Sequence, residues 1–151
     1  MVYINIRGGY MNVSYARSFA TSIIFGILFA FLVIFFAFIG PEDFLTKKIF
    51  IVINAVVIFT AMLSFALMLL LTNKKSNVID ERDYLIQKKS STIGLVISLI
   101  YVFLLSIILF NIYRDEGSMN VSWAWFIAYS TFSFGYFITA SIHVYFYKRE
   151  N

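Results

Sequence analysis

The sequence predicts an all-α integral membrane protein, a four-helix bundle built of two helical hairpins with both termini cytoplasmic. Three observations predict it. The 151-residue chain is 61% hydrophobic and only 13% charged, whereas soluble proteins carry about 25% charged residues. Four runs free of Asp, Glu, Lys and Arg, at 18–39, 49–71, 93–113 and 121–147, each reach the roughly 20 helical residues that cross a bilayer core. The 12 Lys and Arg residues divide nine to three between alternate gaps, and the basic side of such a division faces the cytoplasm.

The elements follow in order as one four-span transmembrane domain. Residues 1–17 are expected to be an N-terminal tail, and two readings stand for residues 1–10. "RGGYM" can be encoded as AGA GGA GGT TAT ATG, in which a ribosome-binding AGGAGG precedes the Met11 codon, so that Met11 is the native start. The plainer alternative begins at Met1 with a short disordered end. Span one, 18–39, stops at "GPED", whose Gly40 and Pro41 break a helix. Span two, 49–71, leads into the cytoplasmic loop 72–92. Span three, 93–113, ends at "RDEGSMN", and span four, 121–147, closes the chain, with Trp123 and Trp125 at its outer end and Tyr145 and Tyr147 at its inner end. The outer connections are too short to hold a folded domain.

The formal charge of +4 does not indicate nucleic acid here, because the basic residues flank apolar spans, where they set topology and meet lipid headgroups. Cysteine is absent and histidine occurs once, as His143. The residues offer no metal or cofactor site and no catalytic constellation, so a non-enzymatic role is expected. His143 is the candidate titratable site, since an ionisable group inside a span is a functional hypothesis by default. Its nearness to Lys148 also lets it reach the interface.

Small residues recur at four-residue spacing in span one (Ser22, Gly26, Ala30) and in span four (Thr131, Gly135, Thr139). Such stripes let helix backbones approach closely in lipid, so the two spans are expected to pack antiparallel, with Gly26 near Thr139 and Ala30 near Gly135. A dimerisation face would use the same physics. Span four is rich in hydroxyls, which can bond to carbonyls of their own preceding turn without lining a pore. Asn54 and Asn111, both near the outer face, are expected to hydrogen-bond between spans two and three. "MNVS" at 119–122 is read as a helix start capped by Asn120.

The stretch "NKKSNVIDERDYLIQKKSS", residues 73–91, holds eight of the chain's 20 charged residues. Asp80, Glu81 and Asp83 favour a helix N-terminus, and Lys88 and Lys89 lie toward the membrane, so the segment is expected to extend span three into the cytoplasm. Asp80, Glu81, Arg82, Asp83 and Ile86 are the candidate partner-binding residues. The plainer reading is a capped helix start that keeps two spans apart.

"DERDYLIQK", an Asp-Glu-Arg followed by Ile and Lys ahead of the third of four spans, resembles a pattern in small bacterial four-helix integral membrane proteins of unknown function. That resemblance implies the cytoplasmic membrane of a bacterium and no established chemistry. The expected role is an accessory, regulatory or immunity-type subunit that engages a membrane partner through its helices or its cytoplasmic segment. The alternative is a small oligomeric transporter or channel, against which stands the lack of an intramembrane carboxylate. Expected partners are the lipid bilayer and either a second membrane protein or further copies of the chain.

Overall fold

The computed structural model describes residues 3–6, 9–73, 81–115 and 117–149. Four helices follow a short ribbon: β1 (Tyr3–Ile6), β2 (Gly9–Asn12), α1 (Val13–Asp43), α2 (Lys48–Asn73), α3 (Glu81–Tyr113) and α4 (Val121–Arg149). The ribbon departs from the tail expected there. β1 and β2 pair antiparallel with Tyr3 opposite Asn12 and Ile6 opposite Gly9, a two-stranded unit that is marginal by itself in water.

Three of the helices are long and apolar enough to cross a membrane: Val13–Asp43, Lys48–Leu70 and Glu81–Tyr113. Each helix overruns its expected span. α1 is interrupted at Gly40, whose φ of 78° and ψ of 161° lie in a region only glycine adopts freely. Pro41 then starts one further turn, so "GPED" ends the apolar run as its composition requires. The sequence 44–47 returns the chain, and its Phe44 is fully buried against Phe36 and Trp125. At the other connection, Asn120 caps α4 by accepting from the Ser122 backbone N–H at 2.9 Å.

All neighbouring helices run antiparallel, in the spatial order α2, α1, α4, α3. α1 meets α4 along its length, from the 2.7 Å Ser22–Ser141 hydroxyl contact through stacked Phe25 and Tyr136 to stacked Phe36 and Phe126. α3 meets α4 from Asp83 and Tyr147 at one end to Tyr113 and Trp123 at the other. α2 rests on α1 through Phe65 and Phe50. α2 also touches α4 through the Phe65 and Tyr136 rings, 5.7 Å between centres, but among the described residues it forms no extended interface with α3 or α4, so the bundle is open along the α2 and α3 side.

Polarity is distributed inside out. Large apolar side chains such as Val56, Phe59 and Leu70 on α2 and Leu95, Phe103 and Phe110 on α3 are exposed, while Ser90, Ser122, Ser130 and Ser133 are almost wholly buried. In water this would expose apolar area at about 25 cal/mol per Å²; in lipid it is the favourable arrangement, because the surroundings offer polar atoms no partner. The buried hydroxyls mostly bond to their own helix, as Ser90 does to the Ile86 carbonyl at 2.7 Å and Ser133 to that of Tyr129 at 2.8 Å. α4, the most hydroxyl-rich helix and the one outside the apolar three, lies between α1 and α3 and shares the inner positions with α1.

Candidate functional site

The polar cluster with the most varied chemistry lies where α3 begins and α4 ends. Glu81 and Asp83 occupy the first turn of α3, where unpaired N–H groups favour negative charge. Asp83, Ile86, Ser90 and Gly94 are all buried, a 3-4-4 spacing that turns one face of the helix onto α4. The Tyr147 hydroxyl of α4 donates to Asp83 Oδ1. The Arg82 guanidinium stands 5.7 Å from the centre of the Tyr147 ring, and Lys89 Nζ 4.5 Å from that of Phe146. Tyr147 also touches the His143 ring at 5.6 Å and the Tyr15 ring of α1 at 5.9 Å, centre to centre.

This arrangement divides the candidate partner-binding residues. Asp80 lies outside the described residues. Glu81 is exposed and Arg82 half-buried, but Asp83 and Ile86 are turned inward and are occupied by α4. They fasten the start of α3 to the bundle. The surface left over is a stripe of exposed residues, Glu81, Tyr84, Leu85 and Lys88, at the i, i+3, i+4, i+7 positions of one helical face. Tyr84 and Leu85 are 56% and 57% exposed. The spacing of the inward set was available in the sequence as Asp83, Ile86, Ser90 and Gly94, but an acidic first member hid its apolar period.

His143 is 5% exposed, and its Nδ1 has no hydrogen-bond partner among the described residues. It therefore faces the α3/α4 seam near Asp83 instead of reaching water or headgroups.

The small-residue stripes meet different neighbours from those expected. Ser22 reaches Ser141 and Gly26 faces the ring of Phe137, whereas Ala30 is exposed. Gly135 and Thr139 turn to α3, facing Ser98 and Gly94. Thr131 lies on the same helix with its hydroxyl buried and without a partner among the described residues. The stripe on α4 thus serves α3, and α1 is met by the aromatic face beside it. Spacing reveals which residues share a face, but not which neighbour that face meets. Gly94 stands in a stripe of the same kind, with Ser90 and Ser98 four positions to either side, so its close approach was legible from the same spacing rule.

The expected pair of asparagines does not form. Asn111 Nδ2 donates to the Ile107 carbonyl at 2.8 Å within α3. Asn54 is 1% exposed, and neither amide atom has a partner among the described residues. The open α2 and α3 side is the reason: the two helices carrying them form no extended interface among the described residues. An amide so placed costs about 1–3 kcal/mol in the folded state.

Comparison with protein-family models, with curated proteins and with solved structures gives no match for this chain.

Proposed function

We propose that the chain is a non-enzymatic membrane protein of the bacterial cytoplasmic membrane, an accessory, regulatory or immunity-type subunit with both termini inside, which binds a membrane partner through the outward face of the α3 extension. The observation that carries this reading is the pairing of two faces on one short segment. Asp83 and Ile86 are held against α4, while Tyr84 and Leu85 project between the charges of Glu81 and Lys88. A helix fastened from behind presents its exposed side chains with little ordering entropy left to lose, which favours recognition. α4 runs antiparallel beside α1 and α3 and crosses the bilayer with them.

The test is site-specific photocrosslinking in native membranes from positions 84 and 85. A discrete adduct with one other membrane protein is expected, lost in Leu85→Glu and in the Glu81→Gln/Lys88→Gln variant, whose two charges are exposed on the outward stripe, at equal membrane abundance. Both variants should melt in detergent close to the parent, since exposed charges contribute about 0–1 kcal/mol. Adducts only between copies of the chain would favour the oligomeric transporter or channel instead.

Orientation is checked separately, and the absence of cysteine makes this direct. Cysteines at Asp43 and Ser118 should react with an impermeant thiol reagent from outside intact cells. Cysteines at Ser76 and Asn151 should react only after permeabilisation. The reverse pattern would invert the topology.

A further inference from the structure

The open side of the bundle leaves a cleft of about 300 Å³ between α2 and α4, whose wall includes Asn54. Ile51, Phe59 and Met62 of α2, all exposed, form its membrane side, and Trp125 and Tyr129 of α4 face them. Asn54 lies six residues into α2, which starts at Lys48, hence about 9 Å along the helix from its end. The cleft is therefore near one membrane face, and it opens sideways toward lipid.

We propose that this cleft binds a neutral, membrane-partitioned amphiphile that carries an amide-type group on an apolar body. Three observations converge. The wall contains no Asp, Glu, Lys, Arg or His, so a charged headgroup would lose its hydration without compensation. The aromatic and thioether lining suits an apolar body of modest size, at the lower end of the volumes ligand pockets occupy. Asn54 supplies one carbonyl acceptor and one NH₂ donor, and both are unpartnered among the described residues. The complement of an unpaired carboxamide is a group that offers a donor and an acceptor side by side.

No other residue of α2 with a described side chain is buried. A helix that otherwise shows apolar side chains to lipid spends its single buried position on an amide with no partner, and packing alone gives no reason for a polar residue there. The amide atoms lie beneath the cleft surface, and ligand engagement turns the Asn54 side chain about its terminal torsion, which is broad and soft.

The experiment uses the full chain in lipid nanodiscs and a decanamide derivative bearing a photoreactive diazirine on its alkyl chain. Labelling is expected to saturate, to map to peptides containing residues 51–62 and 125–129, and to be competed by decanamide but not by decane or decyltrimethylammonium. Asn54→Leu should lower labelling at least tenfold while melting at the same or a higher temperature, because it removes a buried polar group without a partner. Met62→Trp, which crowds the mouth from an exposed position, should reduce labelling without touching the amide. Labelling spread over the lipid faces of α2 and α3, equal competition by decane, or full labelling of Asn54→Leu would overturn the proposal. A site satisfied by water alone would give that last result. Crosslinks from positions 84 and 85 are independent of this outcome.

Discussion

Gly94→Ala is expected to be the most damaging of the single-methyl changes at the three glycines that pack between helices, Gly26, Gly94 and Gly135. A Cβ built at Gly94 falls inside contact with Thr139 Oγ1 and 3.1 Å from the Thr139 Cα. The first clash can be relieved by moving a side chain, but the second involves backbone, so the two helices must separate. Overpacking of this kind costs about 1–3 kcal/mol, occasionally more. Gly26→Ala should cost less, since the Phe137 ring at 3.0 Å can tilt, and Gly135→Ala least, since it meets the Ser98 hydroxyl at 3.2 Å. Thermal melting in detergent should return that order. Adding Thr139→Ala to Gly94→Ala removes the hydroxyl but not the backbone contact, so partial recovery is expected, with a coupling of about 0.5–3 kcal/mol. Equal tolerance at all three glycines would mean that α3 and α4 do not approach as closely as the structure places them.

Tyr147→Phe should release the start of α3. Asp83 is 9% exposed and accepts the Tyr147 hydroxyl, and a hydrogen bond to a charged group is worth about 1.5–3 kcal/mol. Loss of this donor leaves a buried carboxylate less well satisfied, so the cost should fall near the top of that range. Asp83→Asn should cost less than Asp83→Ala, since the amide keeps an acceptor. Melting of Tyr147→Phe, Asp83→Ala and the double variant should show a combined loss smaller than the sum of the single losses. Limited proteolysis should report earlier cutting within residues 81–90 in all three. Strict additivity would show that the two side chains do not act as a pair.

These two sites mark the boundary of what could be read in advance. The apolar runs, the stop at Gly40, the cap at Asn120 and the acidic start of α3 are all legible, because each depends on residues within a few positions of one another. The paired strands at 3–6 and 9–12 were missed because they hold no alternating apolar pattern long enough to read. The roles of Asp83 and Ile86 were misjudged for a different reason. Charge suggests exposure in a loop next to the membrane, and only the arrival of Tyr147, 64 positions away, turns that face inward.

Composition and the spacing of charges by themselves determined that this chain forms long apolar helices and that breaks fall near Gly40 and Asn120, although each helix runs beyond the apolar segment that marks it. Transfer of apolar side chains and of backbone groups into lipid is a local property that sums along each segment. Only the tertiary structure decided the order α2, α1, α4, α3, the placement of the hydroxyl-rich helix inside, and the open side that strands Asn54. In lipid, apolar helices gain little by hiding from their surroundings, so association rests on shape: which glycine admits which threonine, and which ring fits beside which. That fit belongs to pairs of surfaces, and no single segment of sequence contains it.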